Sequence, residues 1–303
     1  MTDLENEARN GAIGMSGALA EALADWRPGS AGLTRRVDPW TAAAFAGLTG
    51  VSLPSPGPGD ALPPLWHWFT LLDHPAQSEI GADGHPAAGP FLPPVPGRRR
   101  MFAGGRLQLD APIPIGADLS SASSVTAVSL KNGRSGELAF VTVRHELSAA
   151  GVKVGGEEQD IVYRSEPEGT VPRRVPRPET GEPEPEGEWR LELPTDPVLL
   201  FRFSALTYNG HRIHYDRSYA TKAEGYPDIV VHGPLLALLA LELPRVYAPG
   251  APVREFQYRL VRPAFAPARI VAAGRPQPDG RRIDVSVGAA GALPSLTGRV
   301  LLG

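Results

Sequence analysis

Residues 204–243 read SALTYNGHRIHYDRSYATKAEGYPDIVVHGPLLALLALEL. The second part of this stretch predicts a helix from Pro234 to Leu243, so apolar that it must be buried on nearly every side. Proline sits in its first turn, and His232-Gly233 leads into it. The N–H groups of that turn, Gly233 included, have no partner within the helix and face outward. Helix N-termini favour negative charge, and glycine lets a ligand carbonyl come close to the backbone. The first part is dense in groups that donate, accept or transfer protons: Tyr208, Asn209, His211, His214, Tyr215, Asp216 and Tyr219. The chain has 7 histidines, and three of them, His211, His214 and His232, lie in this window. Imidazole suits acid–base work near neutral pH. A base beside a helix start is the minimum needed to make or break an enolate next to a thioester carbonyl.

Outward from this core the texture is β. Strands are expected at Glu255–Val261, Ala268–Ala273, Arg282–Val287 and Arg299–Leu302. Before the window, Trp189–Leu193 and Leu199–Phe203 read as short extended pieces. Residues 165–188 hold almost nothing apolar and many prolines and charges, the composition of a solvated linker. Upstream, Arg106–Pro112, Ser121–Leu130, Leu138–Glu146 and Val152–Tyr163 suggest an antiparallel meander. The chain opens with an expected helix over Asp3–Trp26, carrying a Met15, Leu19, Leu23, Trp26 stripe. A short helix then starts at Asp38-Pro39-Trp40, an N-cap followed by proline. Two halves with one plan emerge: 1–34 a helical extension, 35–164 one domain, 165–188 the linker, 189–303 a second domain. Phe102-Ala103-Gly104-Gly105 and Val231-His232-Gly233-Pro234 stand as a local echo between them.

Composition narrows the field. With 303 residues and 42% hydrophobic content, the chain has ample material for a core, although Gly 34 and Pro 33 imply many short elements. Zero cysteines exclude disulfides, thiolate metal sites and a cysteine nucleophile. A net charge of −3 argues against nucleic acid as partner. No apolar run approaches the roughly 20 residues that cross a bilayer, and the N-terminus is acidic before it is apolar, so a cytoplasmic location is expected and a membrane is not. No G-x-S-x-G elbow or phosphate loop is present. His211 and His214 at i, i+3 lack a third ligand at a familiar spacing, so no metal is expected. His67 and His145 read as core and strand-face residues.

RFSALTYNGHRIHYDRSYA followed by GYPDIVVHGPL resembles the hydratase segment of the MaoC-like hot-dog proteins. More narrowly, it is similar to the branch of type 2 hydroxyacyl-thioester dehydratases and mesaconyl-C4-CoA (3-methylfumaryl-CoA) hydratases. PPLWHWFTLLDHP, GADGHP, FLPPVPGRRRMFAGGRL, KNGRSGELAFVTVRHE and EEQDIVYR resemble its N-terminal half, so the likeness runs from about residue 35 to 262. It implies an α+β double hot-dog fold, each half a sheet wrapped around a long central helix, and either a monomer or, as preferred, a homodimer. It implies a hydro-lyase that adds water to a 2-enoyl-CoA, here a short dicarboxylic one, with coenzyme A as part of the substrate and no cofactor. The alternatives are a 3-hydroxyacyl-thioester dehydratase of other chain length or a non-catalytic acyl-CoA binding module.

The family signature G-D-x-N-P-x-H meets Asn209 where its aspartate stands and His211 where its asparagine stands. Asn209 cannot accept a proton. By the resemblance, His214 is the base, Asn209 orients the water and the Gly233 amide polarises the thioester oxygen. Tyr208, His211, Asp216 and His232 support them, with Asp216 a candidate for fixing the His214 tautomer. Arg98, Arg99, Arg100 and Arg106 are the expected cations for coenzyme A phosphates. The N-terminal half, lacking an N-G-H-x-x-H, is expected to shape the acyl tunnel without taking part in catalysis. Trp66, Trp68 and Phe69 belong either to that tunnel or to the core.

Overall fold

The computed structural model describes residues 18–51, 55–95, 97–133, 136–165, 174–177 and 181–303. Ten strands form one antiparallel sheet. Five come from the N-terminal half: β1 (Ser30–Arg36), β2 (Arg98–Leu109), β3 (Asp118–Gly133), β4 (Gly136–Ala149) and β5 (Val152–Ser165). Five come from residues 189–303: β6 (Trp189–Thr195), β7 (Val253–Leu260), β8 (Ala268–Pro276), β9 (Arg282–Ala289) and β10 (Leu296–Leu302). The residues before them, expected to be a solvated linker, are, where described, bonded to this half, Arg177 to Asp228 and Glu184 to the Gly291 N–H. The order across the sheet is β1-β3-β4-β5-β2-β7-β10-β9-β8-β6. Counted inward from either edge, each half runs first, third, fourth, fifth, second strand. The halves are therefore repeats of one topology, joined where β2 pairs with β7.

That joint corrects the expected echo between FAGG and VHGP. Gly104 and Gly105 lie inside β2, opposite Arg259 and Tyr258 of β7, and open no helix. A Cβ on Gly105 would stand 2.7 Å from the Glu158 carbonyl oxygen and 2.9 Å from the Tyr258 hydroxyl. The glycine pair lets the two halves of the one sheet meet closely. The repeat shows elsewhere, in α2 (Pro39–Thr49) and α3 (Pro197–Leu206), each following the first strand of its half. Both open with Asp-Pro. The Asp38 carboxylate accepts from the Trp40 N–H at 2.8 Å, and that of Asp196 from the Leu199 N–H at 2.7 Å. Residues 199–203 are thus helical rather than extended, because the cap and the proline at the first helical position outweigh a short apolar run that fits either state.

Of the first expected helix, α1 (Ala18–Ala24) is seen; residues 1–17 lie outside the described residues. Its Leu19 is fully buried against β4 and β5 with Val141, Val143 and Tyr163. A short α4 (Arg217–Lys222) precedes the long α5 (Gly233–Tyr247), in which every residue from Leu235 to Pro244 is buried. Among the described residues only the C-terminal half wraps a long helix. Between α2 and β2 the described residues form two 3₁₀ turns, Trp66–Phe69 and Gln77–Glu79, because prolines at 63, 64, 75, 86, 90, 93 and 94 repeatedly remove the amide a helix needs.

The turn at 66–69 fills the space beside α5 instead. Phe45 of α2 meets Trp66 at 5.0 Å and Phe69 at 4.7 Å, and Phe69 meets Phe203 of α3 at 6.3 Å. Trp66 and Phe69 are therefore core residues, while Trp68 lines the main cleft. One apolar cluster contains residues of both halves, so the halves are cemented by a common core. Cutting a fully buried leucine of α5 to alanine would cost about 2–5 kcal/mol.

Candidate active site

The loop after α3 is built by local hydrogen bonds. Tyr208 takes a left-handed conformation (φ 48°), and the Asn209 side-chain oxygen accepts from the His211 N–H at 3.0 Å. A 3₁₀ turn over Arg212–His214 turns His214 inward. There its Nδ1 lies 2.7 Å from the Val230 carbonyl oxygen. A carbonyl only accepts, so Nδ1 carries the proton and Nε2 keeps the lone pair. Asp216, expected to fix this tautomer, does not. Its carboxylate caps α4 by accepting from the Tyr219 N–H at 3.0 Å, and it pairs with Arg212 at 2.7 Å.

His232 is wholly buried directly before α5. Its Nε2 is 2.9 Å from the Ser204 hydroxyl, so it does not cap the helix with its side chain. Its ring stacks on that of His214 at 3.7 Å. Gly233 follows, at the mouth of the helix. Its N–H has no hydrogen-bond acceptor among the described residues, as expected of a first-turn amide.

The N-terminal half reaches into the same place. In the GADGHP loop, Gly84 packs backbone to backbone on Gly210: a Cβ on Gly210 would stand 2.8 Å from the Gly84 carbonyl oxygen. The Arg212 N–H donates to the Asp83 carbonyl at 2.9 Å, and its guanidinium to the Ala82 carbonyl at 3.0 Å. His85 thereby lies against His211, ring centres 3.9 Å apart, and its Nδ1 is 3.1 Å from the Asp83 carboxylate. His211 meets His214 edge-on at 5.3 Å. Four imidazoles, His85, His211, His214 and His232, form one column from the N-terminal loop to the start of α5.

Burial sets their charge. It pushes His214 down to about 4, against a smaller upward pull from the Val230 carbonyl, and it pushes His211 and His232 well below the usual range. His85 is lowered too, by burial first and partly offset by the bond to Asp83. At neutral pH the column is uncharged. Burial alone would raise the Asp83 carboxyl, but hydrogen bonds from His85 hold it below the usual carboxylate range. Asp83 is an anion beside neutral rings.

A cleft of about 2370 Å³ opens onto these groups. Among the described residues it is lined by Asn209, His211, His214, Gly233, Tyr208 and His85, so the base candidate and the helix-start amide share one cavity. His232 and Asp216 are not among the residues that line it. Of the expected phosphate-binding cations, Arg98, Arg99 and Arg100 line it and Arg106 does not. Arg106 is committed to Glu158 at 2.7 Å and Asp160 at 2.8 Å. Arg98 donates to the carbonyls of Pro86, Ala87 and Pro93, and Arg99 pairs with Glu224. Arg100 pairs with no carboxylate among the described residues; its guanidinium lies against the Tyr163 hydroxyl, outside ordinary hydrogen-bond geometry.

The sequence profile of hydroxyacyl-thioester dehydratase type 2 matches residues 65–266. The chain belongs to the type 2 hydroxyacyl-thioester dehydratase family. A relative, mesaconyl-C(4)-CoA hydratase from Chloroflexus aurantiacus, is 44% identical over 266 residues, 86% of this chain and 92% of the relative. The mitochondrial hydroxyacyl-thioester dehydratase type 2 of Schizosaccharomyces pombe is 36% identical over 118 residues, 38% of this chain and 37% of that protein. Among solved structures, a MaoC-like dehydratase from Phytophthora capsici superposes with a TM-score of 0.65 at 15% identity, over 91% of this chain and 96% of that one. A Mycobacterium tuberculosis protein with a double hotdog fold gives a TM-score of 0.56 at 14% identity, over 93% and 98%. The double hot dog is the fold of this chain.

In this type 2 dehydratase family member the cleft is lined by His214 and Gly233, which the sequence singles out, and also by Asp83 and His85, which it does not. The signal for the missing pair was the Asp-Gly-His spacing in GADGHP, a turn with a carboxylate two residues before an imidazole. Asp83, His85 and His211 also bring three ligand atoms within 4.8 Å of one another. The rings of His85 and His211 lie face to face, tilted by 36°. No described helix is long and apolar enough to cross a membrane.

Proposed function

We propose that this protein adds water reversibly across the double bond of a 2-enoyl-CoA, with a short dicarboxylic acyl group of the mesaconyl-C4 type as its substrate. One observation carries the reading: an imidazole held as the Nδ1–H tautomer, with its basic nitrogen free, shares a cavity with the open first turn of α5. His214 Nε2 takes a proton as the water oxygen bonds to the β-carbon. The alkene electron pair moves toward the thioester oxygen, where the Gly233 N–H and the helix start stabilise the developing negative charge. Collapse of the enolate returns a proton to the α-carbon, so that H and OH have been added and no other atom is lost. The reverse sequence expels water. In this reading residues 189–303 carry the base and the N-terminal half forms the facing wall.

The dicarboxylic assignment is supported by the hydratase relative and by Arg100. In a 3-methylfumaryl thioester the second carboxylate is attached to the β-carbon, the atom that receives water. Its cation must therefore reach into the same cleft as the base. Arg100 is half-buried in the cleft, within electrostatic reach of His85 and His211, and has no carboxylate of its own among the described residues. Exposed Lys131, Arg174, Arg259 and Arg262 at the cleft surface are left for the coenzyme A phosphates.

The test is loss of enoyl-thioester absorbance with mesaconyl-C4-CoA, crotonyl-CoA and longer enoyl-CoAs. Preference for mesaconyl-C4-CoA is expected. Preference for unsubstituted chains would overturn the dicarboxylic assignment, and tight binding of all with no turnover would overturn hydration in favour of a binding module.

A further inference from the structure

Hydration needs more than one proton-handling group: a water must be held by both hydrogens while its oxygen is aimed at carbon. Asn209 can accept a hydrogen bond but cannot take up a proton, and its Oδ1 already accepts from the His211 N–H. A carboxylate does reach the column, from the other half of the chain. Asp83 lies 3.1 Å from His85 Nδ1, and its second oxygen accepts from the His85 backbone N–H at 3.0 Å. An ionised carboxylate only accepts, so His85 is fixed with its proton on Nδ1 and its lone pair on Nε2, the tautomer that Val230 imposes on His214. Both rings line the same cleft.

Resting on the hydration reading, we infer that the Asp83–His85 pair of the N-terminal half completes the acid–base device, His85 Nε2 accepting the reacting water's second hydrogen opposite His214 and Asp83 stabilising charge on the ring. The other partners in the column are weaker. His214 has a carbonyl, His232 a hydroxyl, and His211 stands between two rings. In a buried column a proton is least costly on the ring that faces an anion. The groups facing His85 are Asp83 on its own loop, Arg98 and Arg100 on β2, and His211 after α3; the two arginines oppose protonation and Asp83 favours it. The docking is specific. Gly84 and Gly210 leave no room for side chains, and Arg98 pins the loop by bonding to the Pro86 carbonyl at 3.1 Å. By this inference the N-terminal half, expected to be a passive wall, supplies a catalytic residue.

The experiment compares wild type, His214→Ala, His85→Gln and Asp83→Asn in the hydration assay, with acyl-CoA affinity and thermal midpoint measured for each. His85→Gln should lower kcat about 10²-fold or more while acyl-CoA affinity stays within about threefold. Asp83→Asn should lower kcat by about tenfold and move the acid limb of kcat/KM to lower pH, because removal of the anion lowers the proton affinity of His85. A purely structural loop would weaken binding and melting and leave the pH profile in place. Wild-type kcat in His85→Gln, an unshifted profile in Asp83→Asn, or a stoichiometric metal whose removal abolishes activity would overturn the inference. If wild type hydrates nothing, the hydration reading falls and takes this one with it. If wild type turns over and only His214→Ala is impaired, this inference alone fails.

Discussion

The imidazole of His214 stacks on that of His232 at 3.7 Å, with 18° between the ring planes. Both rings are buried, and burial disfavours the charged form of each. Folding therefore holds His214 neutral down to about pH 4, whereas an unfolded histidine titrates near 6.5. Between those values the unfolded chain binds protons that the native state refuses. The stabilisation is complete above about pH 6.5 and is lost as pH falls toward about 4, on the order of 3 kcal/mol for His214 alone. His85, His211 and His232 shift in the same direction and add to it. Urea unfolding midpoints should fall steadily from about pH 7 to about pH 5; a flat profile would contradict a neutral buried column.

Gly84 and Gly210 are the point at which the two halves touch beside the site. An alanine at 84 would clash with the Gly210 carbonyl and would have to keep a φ of 90°. Gly84→Ala should lower hydration activity by about tenfold or more while the α5 core holds. Gly47→Ala is the matched control. That position is exposed inside α2 with nothing within 4 Å of the added methyl, so it should keep full activity and gain about 0.5–1 kcal/mol of stability. Activity and melting curves of the two variants decide it.

Arg100→Gln separates substrates. Loss of a charge-assisted contact to the acyl carboxylate should cost about 1.5–3 kcal/mol, about 10- to 100-fold in kcat/KM for mesaconyl-C4-CoA. Crotonyl-CoA, which has no carboxylate, should be hydrated as by wild type. Equal losses on both substrates would move Arg100 out of acyl recognition.

Glu157 is a buried carboxylate with several donors. It accepts from His67 Nε2 at 2.7 Å, from the Trp68 indole at 2.9 Å and from Gln159 at 2.8 Å. Burial would raise its carboxyl, but the bond to His67 holds it below the usual range. Glu157→Ala would strand these donors and should destabilise the protein by about 3–5 kcal/mol. A denaturation curve unchanged from wild type would show that these bonds carry little net energy.

The parts of the site that were legible in the sequence are those whose partners are close along the chain. His214 and Gly233 fall in one window because a loop, a short helix and the start of α5 follow one another directly. Asp216 misled for the same reason: proximity suggested a partner for His214, whereas the carboxylate is consumed in capping α4. Asp83 and His85 could not be placed at the cleft from the sequence because contacts between separate halves, Gly84 on Gly210 and Arg212 on the Asp83 and Ala82 carbonyls, bring them to the column. At the level of the fold, alternation marked the strands, while Leu199–Phe203 fitted both helix and strand until the Asp196 cap was taken into account. That no long helix stands among the described residues of the N-terminal half follows from its prolines, since 53–64 and most of 81–97 hold too many for regular structure.

The central claim is that one imidazole, backed by the Val230 carbonyl and facing the first turn of α5, activates water for addition to a thioester-conjugated alkene. The most direct measurement is the single-turnover hydration rate of mesaconyl-C4-CoA by His214→Ala at saturating enzyme. A fall of about 10²–10⁴-fold with acyl-CoA affinity intact is the predicted result. A rate equal to that of wild type would contradict the account.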